Sequence, residues 1–453
     1  MARKLGILPN AVNKDPRSET ALVFVTLADS LDEATVKQWL TTLGELIAAL
    51  EAPVKRTSYA SAVIGLGPKF FARFPECAAN NPAGLAAPLS LPGEALSTDV
   101  VIHVNYTSEA ALATFLAALW TTRPMLASLE VEHGYSRNDG RETSGQLDGL
   151  RNLTRSQRTA HTTIHVADLP EEPAWLERGC YGAWMKIEQN LDGWTSLDVA
   201  TKEQIIGRRE ADGSRTDLPP GSNPHTEGEF SDPNTPLPSS HVRKAGPRGP
   251  VHDGTLILRR GAPYVEAVGS ALRLGLQFVS YQVSLDDLDV ILNQWMLNPD
   301  FPSSGTGQDA LVAHSLISFL RSSIFVVVPA DDRHPGAGYF DPPPTSTKAR
   351  KVRIHIRKKV VDAGGSPTRA DLGGIEFTLI DPKSGQPIGS PVTTNSAGRA
   401  VLPGAKIGRQ VIVRETPNQR FQPQTDITLD ATQRNQIVHV TNQLAPQQPP
   451  YGG

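Results

Sequence analysis

The chain has 453 residues, more than one ordinary hydrophobic core accommodates, so two or more domains are expected. With 39% hydrophobic and 20% charged residues it has the composition of folded globular protein, and a net charge of −3 gives no global reason to expect nucleic acid or an anionic membrane as partner. Two cysteines, Cys77 and Cys180, exclude a disulfide framework and any Cys-x-x-Cys metal site, and eleven histidines without a tract exclude bulk metal storage.

The opening MARKLGILPN lacks an apolar core of signal-peptide length, so a cytoplasmic location is expected, with export by another route left open. ALVFVTL (Ala21 to Leu27) reads as a buried strand. Asp32 to Glu51 has helical spacing, with Val36, Leu40, Leu43, Ile47 and Leu50 on one side. VVIHVNY (Val100 to Tyr106) is a second strand, EAALATFLAALW a helix capped by Ser108, and LASLEVEHGYS an alternating strand. A similar order returns in GCYGAWMKIEQNL, LDVATKEQIIGRR, LRLGLQFVSYQ, DDLDVILNQWML and SSIFVVVP. This suggests a duplicated α+β unit of ferredoxin-like halves, about 15–165 and 175–330, within a first domain 1–345. The most apolar window, Leu311 to Pro329, is broken by His314 and Arg321, so no membrane span is expected.

Between the two rounds, Arg208 to Pro250 is dense in Gly, Pro, Asn, Asp and Ser, and a loop of that length is usually functional or disordered. After DPPPTSTKARK, a stiff polar linker, the character changes. VRIHIRK, IEFTLID, QVIVRET and QIVHVTN are short alternating strands separated by KSG and SAG turns, which predicts a small all-β, Ig-like sandwich over 346–443. A disordered tail is expected at 444–453.

Three stretches carry the candidate chemistry: GQLDGLRN (Gly145 to Asn152), SHVRKAGPR (Ser240 to Arg248) and LILRRGAPY (Leu256 to Tyr264). Singly they are a turn dipeptide at Asp148-Gly149, a loop histidine at His241, and a solvated strand edge at Arg259 and Arg260. Together they resemble the dye-decolourising haem peroxidases. Gly145, Asp148 and Gly149 match that family's Gly-x-x-Asp-Gly motif, His241 its proximal histidine, and Arg259 its distal arginine.

The resemblance spans roughly residues 10 to 340 and implies the dimeric α+β barrel fold and haem b as cofactor. It makes His241 the iron ligand and Asp309 the carboxylate behind its ring, with a solvated helix start as the alternative for Asp309. Asp148 becomes the acid/base that moves the peroxide proton, and Arg259 the fixed cation that stabilises charge on the departing oxygen. The implied reaction uses hydrogen peroxide, through a ferryl intermediate, to oxidise dyes, phenolics or lignin-like aromatics. Manganese(II) is a further implied reductant, with Glu266 and the Asp286–Asp289 run as oxygen ligands and a solvated helix start as the alternative for that run. His225 and His252 compete with His241 for iron. Gly261 stands where some subfamilies carry a polar distal residue, and the loop Asp212 to Pro238 is long. Trp184, Trp194, Trp295, Tyr281 and Tyr339 are candidates for relaying electrons to the surface, with packing as the alternative for each. Rival readings are a haem-binding or storage protein with little turnover, and a scaffold or adhesion protein. A homo-oligomer is compatible with the sequence.

Residues 350 to 443 resemble the Cna-B (prealbumin-like) repeats of bacterial surface proteins, in which a strand lysine and a late asparagine form an isopeptide bond beside a carboxylate. The matching residues are Lys358, Asn442 and Glu415. Lys358 shares strand parity with Val352, Ile354 and Ile356, so it points inward; a buried Lys–Glu pair without the bond is the alternative. The expected task of this domain is structural or docking, toward a partner the sequence does not name.

Overall fold

A computed structural model describes residues 19–52, 60–86, 89–137, 139–167, 169, 171–248, 255–342, 352–361, 372–405, 409–422, 424–431 and 435–443. The expected tail 444–453, most of the linker and the competing His252 lie outside the described residues.

Strand β1 (Glu19–Leu27) is buried almost throughout because both its faces are covered. Ala21, Val23, Val25 and Leu27 pack outward under helices, while Leu22 and Phe24 point to a second, inner core. The outer helix Glu33–Glu51 presents Val36, Trp39, Leu40, Leu43 and Ile47 to that outward face, and Asp32 caps it by accepting from Thr35 N–H at 2.8 Å. Next come β2 (Ala60–Leu66), the two-residue β3 (Glu94–Ala95), β4 (Val100–Tyr106), the helix Glu109–Trp120 and β5 (Leu126–Tyr135). Ser108 occupies the N-cap of that second helix, but its side chain makes no capping hydrogen bond, contrary to expectation.

The second round comprises β6 (Cys180–Gln189), the helix Val199–Ile206, β7 (Leu258–Arg259), β8 (Ala262–Val268) and β9 (Ala271–Gln282). A helical stretch Leu285–Met296, π-helical from Val290, and β10 (Ile317–Val327) complete it. Sheet order is β5-β1-β4-β2-β10-β6-β9-β7, with β3 on β10 and β8 on β9. Taking the main strands of each round as 1 to 4, β5-β1-β4-β2 is the order 4-1-3-2. The run β10-β6-β9 followed by β7 and β8 repeats it, so both halves are ferredoxin-like. They join where Val326 and Val327 of β10 pair with Leu66 and Gly65 of β2.

The sheet curls until its ends meet. A Cβ on Gly134 of β5 would stand 2.9 Å from Ala262 Cβ and 3.2 Å from Pro263 O of β8, so glycine admits that approach. Lys186 of β6 reaches both Glu132 of β5 (2.9 Å) and Glu266 of β8 (2.7 Å) across the interior. β2 and β8 were not singled out in the sequence. β2 is buried at all seven positions and apolar at all but Ser61, without the alternation that marks a half-buried strand.

The C-terminal unit is a sandwich of two sheets around Ile354, Ile356, Phe377, Leu379, Val411, Val413 and Val440. Its strands are β11 (Val352–Val361), β12 (Glu376–Ile380), β13 (Val392–Thr393), β14 (Arg399–Ala405), β15 (Arg409–Glu415), β16 (Ile427–Ala431) and β17 (Asn435–Gln443). They form sheets β14-β11-β17 and β13-β12-β15-β16. Salt bridges attach it to the first unit: Arg357 to Glu171, and Arg399 to Asp286.

Candidate active site

His241 opens the five-residue helix His241–Ala245, with Ser240 at the N-cap position but making no side-chain capping bond. Its Nδ1 lies 2.8 Å from Asp309 Oδ2, which leaves Nε2 as the nitrogen available to a ligand. Asp309 is fully buried and fixed: its other oxygen accepts from Leu311 N–H (3.0 Å), and its own N–H donates to Met296 O (2.8 Å). Burial disfavours the imidazolium, but the adjacent Asp309 carboxylate outweighs it and raises His241 above its ordinary pKa; Glu142 adds to the rise and Arg259 opposes it. The short helix is anchored by Lys244, whose buried ammonium donates to Asn298 O and Phe301 O at 2.6 Å each. Burial pushes that lysine down to about 8.

The Gly-x-x-Asp-Gly stretch is a tight loop. Gly145 (φ 87°) and Gly149 (φ 72°) both occupy left-handed backbone, which explains the two glycines flanking Asp148. Asp148 N–H donates to Gly140 O (3.0 Å), and its exposed carboxylate accepts from Gly149 N–H (2.5 Å). Arg259 is held on three sides. Its Nη2 donates to Leu150 O (2.7 Å), its backbone N–H donates to Asn152 Oδ1 (3.1 Å), and its carbonyl accepts from Asn152 Nδ2 (2.8 Å). Asp148, Asn152, Arg158, His225, Arg259 and Gly261 line a cavity of about 360 Å³. His225 is exposed on this same wall, and among the described residues no carboxylate is bonded to its ring.

Glu142 was not anticipated. Burial and the charge of Asp148 push its carboxyl up to about 7, while His241 and Arg259 pull it down; its Oε2 accepts from Gln189 Nε2 (3.1 Å). It therefore senses the Asp148 loop, Arg259 and His241 together. Its sequence signal was slight, an acid six residues before Asp148.

The long loop is a packed unit. Arg208 pairs with buried Glu227 through both its terminal nitrogens (2.5 and 2.9 Å), Arg215 with Asp217 (2.7 Å), and Phe230 lies under the guanidinium groups of Arg215, Arg243 and Arg248. Arg248 Nε is buried with no hydrogen-bond partner, and burial with the charges of Arg151 and Arg208 pushes this guanidinium down to about 10. Arg151 in turn donates to the carbonyl of His225 at the cavity wall (3.2 Å).

Other expectations are redirected. Glu266 is not a free carboxylate for manganese, since it pairs with Lys186, which Glu132 also engages, and Asp286 engages Arg399. Asp287 is buried instead of solvated. Among the described residues the one group of three potential ligands is Glu33, Glu76 and Cys77, which includes none of these. All five aromatic relay candidates, Trp184, Trp194, Trp295, Tyr281 and Tyr339, are buried, so none offers a surface terminus.

Residues 139–332 match the family model described as Dyp-type peroxidase, C-terminal. A deferrochelatase of Escherichia coli O157:H7 is 27% identical over 202 residues, 42% of this chain and 45% of that protein. One from Shigella sonnei (strain Ss046) is 29% identical over 161 residues, 33% of this chain and 37% of that protein. The chain thus matches less than half the length of these curated relatives. In fold it is similar to a DyP-type peroxidase from Streptomyces coelicolor (TM-score 0.62, 20% identity, 74% of this chain and 95% of the other). A DyP-type peroxidase from Cellulomonas bogoriensis is comparable (TM-score 0.61, 23% identity, 75% and 98%).

Proposed function

We propose that this chain, which carries the Dyp-type peroxidase family's C-terminal region at residues 139–332, is a haem peroxidase that uses hydrogen peroxide to oxidise dyes, phenolics or lignin-like aromatics. The observation behind this reading is the His241–Asp309 pair at 2.8 Å, coupled electrostatically to the cavity that holds Asp148 and Arg259. The residues fit haem b. His241 presents a ring nitrogen for iron, and the unpartnered buried Arg248 Nε suits an anionic group such as a propionate.

Bound haem would supply the iron and the electrons that reduce peroxide. His241 Nε2 would hold that iron, with Asp309 accepting the Nδ1 proton and so raising the donor strength of the imidazole. Asp148 would take a proton from one peroxide oxygen and return it to the other, converting the departing oxygen to water. Arg259, fixed by Asn152 and Leu150, would stabilise the negative charge that develops as the O–O bond breaks. Manganese(II) finds no donor set at Glu266 and is not part of this reading.

Purified protein supplied with haem should show a Soret band, respond to one equivalent of peroxide within milliseconds, and recover on adding a dye. Absence of the band would sink the proposal. A band that only bleaches, or loses iron with the tetrapyrrole left intact, would favour haem handling of the kind that the relatives' name, deferrochelatase, suggests.

For the C-terminal unit we infer an intramolecular isopeptide bond. The parallel β11–β17 register places Lys358 opposite Val440 and Asn442 opposite Val360. Lys358 Nζ donates to Glu415 Oε2 (2.7 Å) and Asn442 Nδ2 donates to Glu415 Oε1 (2.9 Å), all three being buried. Burial among Phe377 and Phe421 lowers the lysine's pKa toward the nucleophilic amine. In the step inferred, Lys358 Nζ attacks Asn442 Cγ, Glu415 carries the proton to the leaving nitrogen, and ammonia departs.

A further inference from the structure

The C-terminal sandwich is fastened to the first unit beside the helix that leads to the proximal residues. Ala397, in the turn before β14, packs against the main apolar core of the first unit. Next to it Arg399 donates to the Ser284 hydroxyl and to the Asp286 carboxylate. Arg357 donates to Glu171 through Nε (3.0 Å), and Arg353 donates to the carbonyl of Ala167 (3.2 Å). The Arg399 side chain is only 12% exposed, so its charge depends on these partners in place of water. Burial disfavours the guanidinium charge, but Asp286, Asp287 and Glu171 outweigh it and raise its pKa.

The Arg399 contacts fall at one end of a single element. Ser284 is the N-cap of the helical stretch Leu285–Met296, its hydroxyl accepting from Asp286 N–H (3.2 Å). Leu285 and Leu288 lie in the same core that receives Ala397. The stretch extends on the order of 18 Å at the α-helical rise. From Val290 to Met296 it is π-helical, a rare form that is frequent at functional sites. Its far end holds the proximal side through backbone carbonyls, which a helix C-terminus leaves without intrahelical partners. Met296 O accepts from Asp309 N–H (2.8 Å). Just beyond, Asn298 O and Phe301 O accept from the buried Lys244 ammonium, which anchors the His241 helix (2.6 Å each). One helix thus joins the docking point of the sandwich to both segments that carry the His241–Asp309 pair.

We infer that Arg399 of the C-terminal sandwich is a positioning residue for the proximal histidine. Docking of the sandwich fixes the N-terminal end of the helix, and the helix fixes the carbonyls that hold Asp309 and the His241 helix. The inference rests on the peroxidase reading, since bound iron is what senses the His241–Asp309 hydrogen bond. With Arg399 released, the helix loses its fastening at Ser284 and Asp286, and its far end gains freedom. Asp309 then holds the Nδ1 proton less firmly, and the imidazole becomes a weaker donor to iron. Undocking therefore acts on the axial ligand while every residue lining the cavity stays in place.

The test uses the haem-loaded full chain in its ferrous state. Two quantities are read: the iron–histidine stretching band in resonance Raman spectra, and amide hydrogen exchange across Leu285–Met296. Arg399→Gln should move the band to lower frequency, the mark of a weakened hydrogen bond to the proximal imidazole. It should also speed exchange in the helix roughly tenfold, as loss of a charge-assisted hydrogen bond implies. Arg399→Lys, which keeps the charge, should fall between. Asp286→Asn, a change on an exposed side chain of the first unit, should reproduce both effects in smaller measure with the sandwich untouched. Arg414→Gln, which removes an ion pair with Asp426 within the sandwich, should change neither. An unmoved band in Arg399→Gln, whatever the exchange rate, overturns this inference and leaves the peroxidase reading standing. A wild-type chain that binds no haem overturns both.

Discussion

The carboxamide of Asn152 and the backbone of Arg259 hold each other in a two-bond ring. Asn152 Oδ1 accepts the arginine N–H at 3.1 Å and Nδ2 donates to its carbonyl at 2.8 Å, while Oδ1 also accepts from Leu153 N–H at 2.9 Å. A side chain from the Asp148 loop thus sets the position of a guanidinium 107 residues away. Asn152→Ala should keep the Soret band yet slow reaction with peroxide by roughly 10²-fold, the cost of about 1 Å of misplacement in a reacting constellation. Asn152→Asp, which keeps the acceptor alone, should fall between. Stopped-flow rates decide this, and a wild-type rate in the alanine variant would remove Asn152 from the positioning role.

Asp309 serves two partners through different oxygens, His241 on one and the helix N-terminus at Leu311 on the other. Asp309→Asn should preserve the fold and the cap, because a carbonyl oxygen still accepts. It should weaken haem retention or peroxide reactivity by about 10- to 100-fold, the usual cost of removing such a supporting partner. His241→Ala should abolish retention altogether, and unchanged haem content would move the ligand elsewhere, His225 being the first alternative.

The Lys358–Glu415–Asn442 arrangement predicts an intact mass about 17 Da below the sequence value, from loss of one ammonia. Glu415→Gln should restore the full mass. It should also lower the thermal midpoint of the sandwich, since a crosslink across a loop of this length is worth about 4–5 kcal/mol by loop-closure entropy. An unshifted wild-type mass rules the bond out and leaves a buried ion pair.

Asp287 gives a pH signature. Burial, more than it is offset by Arg399, pushes its carboxyl up to about 7 from the ordinary value of 3.8. The folded state therefore binds its proton more tightly than the unfolded chain. This contribution is fully present below the unfolded pKa and is lost as pH rises toward 7. Asp287→Asn should stabilise the protein at pH 8 more than at pH 5. Thermal melts at the two values check this, and equal shifts would show that Asp287 does not titrate in that window.

Much of the site was legible because its signals are local. The turn dipeptide Asp148-Gly149 reflects positive φ at Gly149, a constraint that acts within a few residues, whereas His241, which singly reads as a loop histidine, opens a short helix. Strand parity likewise placed Lys358 on the inward side, where it is fully buried. The alternating strands and long amphipathic helices were equally plain, because a face buried against water leaves a period in the chain.

What the sequence by itself determined, then, was most of the elements, β2 and β8 aside, their duplicated order and the residues with chemical capacity. Tertiary structure decided which of those capacities are in use. Glu266 lost its candidacy as a metal ligand because curling of the sheet brings Lys186 to it from another strand. Glu142, an unremarked acid in the sequence, gains its raised pKa from burial and from Asp148. Arg399 finds Asp286, 113 residues earlier, only because the sandwich packs on the first unit. Each depends on desolvation and on contacts between residues far apart in the chain, and neither period nor motif encodes these.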